Sequence, residues 1–172
     1  MKPFRLWIYR LIAQCLPETR FFQFKVHMLR WCGAVIGENV RVTSSAMFVG
    51  DGNLIIGDDV WIGAQSFICP VCGTIIEIGS CVDIAPQVMF ITGSHEIDIK
   101  GSHIAGTGYS KSIKIGDGCW LGARSTILPG VVLSRKTIIA SGSVVCDSCN
   151  EENSLMAGVP AIIKKIYRNE QF

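Results

Sequence analysis

Two histidines lie close together in a polar, glycine-rich stretch near the middle of the chain. His95 and His103 are two of the three histidines in the sequence, and Glu96 and Asp98 follow the first of them closely. Histidine side chains ordinarily titrate near pH 6.5, so a neutral imidazole on an exposed segment can accept a proton from a hydroxyl group. A carboxylate or a backbone carbonyl can hold its other ring nitrogen. The pattern fits a general base, and it also fits a loop histidine that only bonds the backbone.

The sequence on both sides of this stretch repeats a six-residue pattern: a branched aliphatic residue, a small residue and four mostly polar residues. Copies begin at Ile36, Ile56, Ile62, Ile78, Ile84, Ile115, Leu121 and Ile139. A unit this short cannot bury its own apolar face and must stack on its neighbours. The aliphatic residues should point inward, and the small residues should let adjacent backbones approach closely. The repeat therefore predicts a solenoid whose coils contain three short strands and about eighteen residues each.

Three insertions interrupt the repeat. Extra residues fall at 50–53 and 69–73, and the largest insertion, at about 91–114, contains both histidines. An insertion of that length cannot be accommodated within a coil, so it must leave the three-sided solenoid, or prism, as a loop. Long loops on a regular scaffold are usually functional or disordered. We therefore expect the histidines on a segment that projects from a stiff column.

The first thirty residues differ from the repeat in both charge and pattern. They hold six lysine and arginine residues and one acid, Glu18. An amphipathic helix that Pro17 ends is predicted by the spacing of Phe4, Trp7, Ile8, Leu11, Ile12 and Cys15. A second helix is expected at about 19–31. These helices either cap the first coil or lie on an anionic membrane surface with their basic residues outward.

Composition narrows the organisation and the class of function. A chain of 172 residues that is 49% hydrophobic can form one domain with a substantial core. The net charge of +2 gives no reason to expect nucleic acid as a partner. With no long apolar run and no signal-peptide pattern, we expect a cytoplasmic protein, peripheral at the inner face of the membrane if the helices bind there. The expected parts are an amphipathic helical segment at 1–33, a β-helix at 34–163 and a C-terminal tail at 164–172.

The eight cysteines of the chain are expected to be reduced thiols. Cys81 and Cys119 fall on strand positions of the repeat, where we expect them to act as small apolar fillers. Two Cys-x-x-Cys pairs, at residues 69–72 and 146–149, have the spacing of zinc ligands. Because the pairs lie in different coils, we predict that they are turn residues and that no metal is bound.

Three further motifs accompany the repeat. They are Thr92-Gly93-Ser94-His95 where the large insertion begins, the run Ile-Gly-Asp-Gly-Cys-Trp-Leu-Gly-Ala at 115–123, and Ala-Gly-Val-Pro-Ala at 157–161. Together with the repeat, they resemble the hexapeptide-repeat acyltransferases and, among these, the sugar O-acetyltransferases. The resemblance covers about residues 34–166. It implies a mainly β fold, a left-handed parallel β-helix, and a homotrimer with active sites between subunits.

The resemblance also implies a reaction and a set of site residues. Acetyl-CoA would donate an acetyl group to a hydroxyl of a sugar or a surface-polysaccharide precursor, by direct attack with His95 as general base. We expect Glu96 to assist His95, and a backbone N–H near Gly122 or Ala123 to stabilise the oxyanion. The residues implied for the cofactor are Trp120, Gly122, Ala123, Ser141, Gly142, Lys164 and Lys165. The residues expected for the acceptor are Gln65, His103 and Tyr109.

Other functions on the same fold remain open at this point. Serine O-acetyltransferases share the repeat but have a much larger helical N-terminal domain, and antibiotic O-acetyltransferases differ in their acceptor. A zinc carbonic anhydrase needs three histidine ligands, whereas one of the three histidines here, His27, lies in the helical segment. A non-catalytic scaffold would bind no coenzyme A and would not depend on His95.

Overall fold

The structure is a computed structural model that describes residues 1–168 of the 172. Two helices come first: α1 (Pro3–Gln14) and α2 (Phe22–Trp31). The strands are β1 (Val35–Ile36), β2 (Arg41–Val42), β3 (Met47–Phe48), β4 (Asn53–Ile56), β5 (Trp61–Ile62), β6 (Phe67–Cys69), β7 (Ile75–Ile78), β8 (Asp83–Ile84), β9 (Met89–Ile91), β10 (Gly93–Ile97), β11 (Ala105–Ser110), β12 (Ile113–Ile115), β13 (Trp120–Leu121), β14 (Thr126–Ile127), β15 (Val132–Leu133), β16 (Ile138–Ile139), β17 (Val144–Val145), β18 (Ser154–Gly158) and β19 (Ala161–Ile166).

Three parallel sheets form the faces of a prism. Sheet A has the order β1-β4-β7-β12-β15, sheet B contains β2-β5-β8-β13-β16-β18, and sheet C has the order β3-β6-β9-β14-β17. Within the prism, consecutive parallel strands along the chain lie in different sheets, and parallel strands that are neighbours in one sheet come from successive coils. The parallel β-solenoid predicted from the repeat is therefore confirmed. The last strand, β19, pairs antiparallel with β18 at the end of sheet B.

The strand register shows where the insertions lie. Twenty residues separate the paired Val35 and Ile55, and twenty-two separate Ile55 and Glu77, against eighteen between Lys114 and Val132. The two longer coils contain the extra residues that the repeat analysis placed at 50–53 and 69–73. Each insertion is absorbed at a corner, so the inward aliphatic positions stay aligned through the stack.

The core is a narrow column of inward aliphatic side chains. At each level it contains one residue from each sheet, as with Ile78, Ile84 and Phe90, all of which are buried. The fifth residue of the repeat, such as Val60 or Val82, is also buried and lies just before a strand. Since each level contacts only the levels next to it, stability depends on close contact between successive coils.

Glycine at the second position of the repeat permits that close contact. A Cβ atom at Gly63 would lie 2.7 Å from the backbone of Ala85 and Pro86 in the next coil. The Gly63 N–H also donates to the Ile84 carbonyl at 2.8 Å, which joins the two coils at this point. The repeat predicted this close backbone approach, and the geometry confirms it.

We expect Gly63→Ala to lower the free energy of unfolding by about 1–3 kcal/mol, because the added methyl group must displace backbone rather than a flexible side chain. Thermal and denaturant unfolding measure the change. Gly93→Ala is the matched control, since its Cβ would meet only Val71 methyl groups at 3.5 Å or more. Equal stability of the two variants would contradict the proposed role of Gly63.

The large insertion leaves the prism as an antiparallel hairpin of β10 and β11. It begins directly after β9 of sheet C and ends just before β12 of sheet A, so it stands at the corner between these two sheets. The sequence predicted a projecting loop, and the structure gives that loop regular pairing. His95 pairs with Gly108, and the register shifts between His95 and Ile97.

The N-terminal helices cover the first coil. Helix α2 contacts β1 and β2, and helix α1 contacts β3, where Tyr9 packs edge-on against Phe48. Helix α2 begins at Phe22, three residues later than predicted. The face of α1 that packs on the prism contains Leu6, Tyr9 and Ala13, whereas most of the apolar stripe found in the sequence is exposed.

Backbone conformation at the corners explains why the prediction that Cys81 is a small apolar filler was wrong. Cys119 is buried as expected, but Cys81 is exposed and has a φ of +58°. Cys81 is the fourth residue of its repeat, and that position takes left-handed backbone in copy after copy. Residues at this position with positive φ are Asn39, Asp59, Gln65, Cys81, Gln87, Gly118, Arg124, Gly130, Lys136 and Gly142. The fourth position is therefore a turn, and its side chain points away from the core.

Candidate active site

His95 lies on the exposed hairpin, and one nitrogen of its ring is held by the backbone. Its Nδ1 is 2.9 Å from the carbonyl oxygen of Gly106 on the neighbouring strand. Because a carbonyl only accepts hydrogen bonds, Nδ1 must carry the proton. In the neutral ring the Nε2 atom then keeps its lone pair and can accept a proton. A Cβ atom at Gly106 would lie 2.8 Å from Asp98 Cβ, so glycine is required for this close pairing.

Neither neighbouring carboxylate is bonded to the His95 ring. Asp98 accepts the backbone N–H groups of Lys100 and Gly101, each at 2.9 Å, and these two bonds hold the pKa of Asp98 below its usual value. The Asp98 carboxylate therefore stabilises the turn of the hairpin rather than the His95 ring. Among the described residues, no hydrogen bond links Glu96 to His95, and adjacent residues of a strand project to opposite faces. The backbone carbonyl of Gly106 was not singled out by sequence, because a main-chain acceptor has no side-chain signature.

The hairpin is attached to the prism through Thr92, which is fully buried. The Thr92 hydroxyl accepts bonds from the Val71 N–H at 2.9 Å and the Thr74 hydroxyl at 2.8 Å. Its own carbonyl accepts the Lys111 N–H at 2.9 Å, which closes the base of the hairpin. A satisfied buried network of this kind fixes the direction in which the hairpin leaves. His95 is three residues beyond this anchor.

Four residues predicted for the cofactor lie together at the corner between sheets B and C. This group, called the wall below, consists of Gly122, Ala123, Ser141 and Gly142. Gly122 and Ala123 lie between β13 and β14, and Ser141 and Gly142 occupy the same corner in the next coil. The Gly142 N–H donates to the Ala123 carbonyl at 2.9 Å. A Cβ at Gly122 would lie 2.6 Å from the Ser141 nitrogen. The wall is therefore built of small residues, of which Gly122 is buried against the next coil and Ser141 and Gly142 are exposed.

The backbone N–H groups of this wall differ in availability. Gly122 donates to the Ile139 carbonyl at 2.8 Å, so its N–H is already used between coils. Ala123 is half-buried, and its N–H donates to no atom of the described residues. Of the two oxyanion donors expected from the sequence, only the Ala123 N–H has no acceptor within residues 1–168. Trp120, on β13, projects outward with 55% of its surface exposed.

Lys164 and Lys165 lie on strand β19, which reaches Ile166, so the tail expected from residue 164 begins inside a strand. Residues 169–172 of that tail lie outside the described residues. Both lysines line an open cavity of about 430 Å³ together with Arg168. Lys165 Nζ lies 4.6 Å from the centre of the Tyr167 ring. This end of sheet B therefore carries three positive side chains around one cavity.

Gln65 belongs to a ladder of polar side chains along the corner between sheets B and C. The Gln65 side-chain oxygen accepts a bond from Gln87 at 2.7 Å, and Gln87 accepts one from Arg124 at 2.7 Å. All three residues have left-handed backbone. The ladder ends beside Ala123, so Gln65 is connected to the wall through its neighbours.

His103 and Tyr109, the other residues expected for the acceptor, lie on the hairpin. His103 is exposed in the connection between β10 and β11. Tyr109 is half-buried on β11, pairs with Ser94, and has Lys111 Nζ 5.4 Å from its ring centre. Residues directly opposite in a hairpin share a face, so Tyr109 projects to the face that does not carry His95.

The structure thus brings the predicted residues, apart from Lys164 and Lys165 at the end of sheet B, together in two groups at different corners. His95, Glu96, His103 and Tyr109 are on the hairpin between sheets C and A. The wall, Trp120 and Gln65 are at or beside the corner between sheets B and C. Sheet C separates the groups, and its outward positions form a mostly apolar row: Met47, Phe67, Met89, Thr126 and Val144.

No group of three or more His, Cys, Asp or Glu side chains within residues 1–168 could hold a metal ion. In that same part of the chain, no helix is both long and apolar enough to cross a bilayer. All eight cysteines are free thiols. Of the two Cys-x-x-Cys pairs predicted to be turn residues, Cys69 lies at the end of β6 and Cys149 is buried.

A solenoid of six-residue repeats places the chain among the hexapeptide-repeat proteins. Two models of hexapeptide-repeat families match it. The family model described as "Bacterial transferase hexapeptide (six repeats)" matches residues 112–147. A second model, "Hexapeptide repeat of succinyl-transferase", matches residues 53–83. The two matched segments lie on either side of the hairpin.

Known proteins extend this match beyond the repeats. The Saccharomyces cerevisiae protein YJL218W, named as an acetyltransferase, is 36% identical over 115 residues, or 66% of this chain and 57% of its own length. WcaF of Escherichia coli K12, named as a colanic acid biosynthesis acetyltransferase, is 30% identical over 142 residues, or 83% of this chain and 74% of its own. A solved galactoside acetyltransferase in complex with coenzyme A has the same fold, with a TM-score of 0.60 and 21% identity over 96% of this chain and 84% of its own. The chain belongs to the hexapeptide-repeat acetyltransferases, an enzyme family.

Proposed function

We propose that this protein transfers an acetyl group from acetyl-CoA to a hydroxyl of a sugar or of a surface-polysaccharide precursor. The observation that carries the proposal is the fixed tautomer of His95, whose Nδ1 proton is held by the Gly106 carbonyl at 2.9 Å. Both relatives are named as acetyltransferases, and WcaF is named for polysaccharide biosynthesis. The exposed Nε2 atom is the base of the reaction.

The reaction proceeds by direct attack. The acceptor hydroxyl gives its proton to His95 Nε2 while its oxygen forms a bond to the thioester carbonyl carbon. The tetrahedral intermediate then collapses, the carbon–sulfur bond breaks, and the leaving thiolate takes the proton from the imidazolium. The products are an O-acetyl ester and free coenzyme A. The Gly106 carbonyl stabilises the imidazolium, because Nδ1–H remains its donor throughout.

The Ala123 N–H is the proposed oxyanion donor, since the Gly122 N–H already bonds the Ile139 carbonyl. The small residues Ser141 and Gly142 extend the same wall, so a pantetheine chain can run along the exposed backbone. Lys164 and Lys165 supply positive charge beyond the wall for phosphate groups. Trp120 offers an exposed ring surface beside the wall for cofactor or acceptor.

We propose that the complete site lies between two copies of the chain, in a homotrimer. On one prism, sheet C separates the histidine hairpin from the wall. A neighbour packed on the apolar row of sheet C would bring the hairpin of one copy to the wall of the next. In such a site we propose that His103 and Gln65 contact the acceptor, whereas Tyr109 and Glu96 project from the hairpin face that does not carry His95 and could reach only a part of the acceptor that extends around the hairpin. We place the reaction in the cytoplasm, at the inner face of the membrane.

The binding step can be tested by thermal unfolding with and without acetyl-CoA. At a hundred times its Kd, the ligand should add about 2.7 kcal/mol of stability. For a chain of this size, that corresponds to a rise in Tm of roughly 5–10 °C. Release of free thiol from acetyl-CoA should then appear with oligosaccharides or sugars as acceptors, and should be absent with serine. No shift in Tm and no thiol release would favour a scaffold instead.

A further inference from the structure

We propose that the outward face of the two N-terminal helices binds the surface of an anionic lipid bilayer. The aromatic and aliphatic residues of this face, called the cap face below, are Phe4, Trp7, Leu11, Phe21, Phe24 and Trp31. Their exposed fractions range from 71% at Phe4 to 43% at Trp31. Five of these exposed side chains lie on the two short helices and Phe21 directly precedes α2, and a group of exposed apolar side chains of this kind marks an interaction site.

The cap face is not the surface by which the helices pack on the prism. Helix α1 buries Leu6, Tyr9 and Ala13, whereas Phe4, Trp7 and Leu11 lie on its opposite side at a spacing of three and four residues. Helix α1 is thus apolar on two sides, and within residues 1–168 only one of them packs against another part of the chain. The rings of Phe4 and Trp7 stack on each other, with centroids 6.1 Å apart.

Fixed contacts hold the two helices in place, so the cap face is a rigid surface. Lys25 is fully buried, and its ammonium donates to the Glu18 carbonyl at 3.0 Å and the Ser44 hydroxyl at 3.1 Å. Arg5 donates to the Trp31 carbonyl at 2.7 Å and lies over the Trp31 ring, which joins α1 to α2. The two helices that carry the aromatic groups are therefore held in place on the prism and to each other.

The charge around the cap face favours an anionic bilayer over a second copy of the chain. Lys2 and Arg20 are exposed, and neither is in an ion pair within residues 1–168, whereas Arg30 is paired with Glu38 and Arg10 is half-buried beside Ala13 and Ser44. Two such caps facing each other would repel, while an anionic headgroup layer attracts them. Aromatic rings with neighbouring basic groups are typical of helices that lie in the membrane interface. A transferase held in this way would meet acceptors carried on lipid, a consequence that rests on the proposed function.

Co-sedimentation with vesicles of equal parts phosphatidylcholine and phosphatidylglycerol tests the proposal. At low salt the native protein should bind, and binding should weaken with added salt and with vesicles of phosphatidylcholine alone. The triple variant Phe4→Ser, Trp7→Ser, Leu11→Ser should lower the vesicle partition coefficient by about tenfold or more. Its fold should persist, because the residues that α1 buries are unchanged. Val132→Ser, which removes an exposed apolar side chain on sheet A, is the matched control and should bind as the native protein does.

Three outcomes would overturn the proposal: no vesicle binding at low salt, equal binding by the triple variant, or equal loss in the Val132→Ser control. Self-association that the triple variant abolishes, without vesicle binding, would identify a second copy as the partner and also overturn it. Vesicle binding requires no turnover, so it can succeed or fail independently of the proposed acetyl transfer. Thiol release with a soluble acceptor should be unchanged in the triple variant.

Discussion

His95→Asn is expected to lower kcat by about 10²–10⁴-fold, the range typical of a general base. Asparagine keeps a short N–H donor that can still reach the Gly106 carbonyl, but its amide cannot accept a proton from the acceptor hydroxyl. The hairpin should therefore keep its geometry while the chemistry is lost. Steady-state release of free thiol gives kcat, and the acetyl-CoA thermal shift shows that cofactor binding persists.

His27→Asn is the matched control for this variant. His27 is also exposed, and its Nδ1 lies 2.7 Å from a backbone carbonyl, that of Gln23, but it is on α2 rather than on the hairpin. Its replacement should leave kcat for a soluble acceptor within about twofold of the native value, as is usual for surface sites away from the chemistry. Full turnover in His95→Asn would remove the proposed base and leave His95 with a structural role.

Ala123→Pro should lower kcat by about 10²–10³-fold, the usual cost of losing one oxyanion donor. Proline has no backbone N–H, so this substitution deletes the proposed donor without adding a polar group. The structure indicates that proline fits there. Pro86 occupies the same corner position in the preceding coil, as the pairing of Leu121 with Ile84 shows. The Ala123 N–H makes no bond to the described residues, so none between coils should be lost.

Ala64→Pro separates the effect on catalysis from any effect on folding. Ala64 has the same corner position one coil further from the wall, on the other side of Pro86, as the pairing of Ile62 with Ile84 shows. Both variants should unfold at similar temperatures, and only Ala123→Pro should lose turnover. If Ala123→Pro folds and keeps its kcat, the oxyanion must be stabilised by another group. If it binds no acetyl-CoA, the wall itself was altered.

The interior of the solenoid could be predicted from sequence because it depends on a local period. An inward aliphatic residue recurs every six positions, and the same residues are buried in the structure, as Ile62, Ile84 and Leu121 illustrate. Gly63 was likewise predicted to permit close approach between coils. The fourth position of the repeat was not recognised as a turn. Asp, Gln, Cys and Arg all occur there with positive φ, and no single residue type identifies the conformation.

The helical segment shows that an apolar pattern can be recognised correctly in the sequence without showing which side of the helix packs on the prism. Phe4, Trp7 and Leu11 do lie on one side of α1, as the spacing predicts. The prism nevertheless packs against Leu6, Tyr9 and Ala13, because the small Ala13 and the ring of Tyr9 fit over the first coil near Phe48. Which of two apolar sides is buried depends on the shape of the surface it meets, and that shape is formed by residues distant in sequence.

The sequence by itself determined the stacked coils, the place where the chain leaves them, and the histidine on the segment that projects. It could do so because burial in a solenoid repeats at a fixed short interval. Only the tertiary structure decided that the Gly106 carbonyl, and not Glu96 or Asp98, holds the His95 ring. It also decided that the Gly122 N–H bonds the Ile139 carbonyl, whereas the Ala123 N–H has no acceptor in the part of the chain that the structure describes. Both outcomes depend on hydrogen bonds to backbone carbonyls of neighbouring strands and coils. Every residue type carries a backbone carbonyl, so the amino-acid sequence does not reveal which one is used.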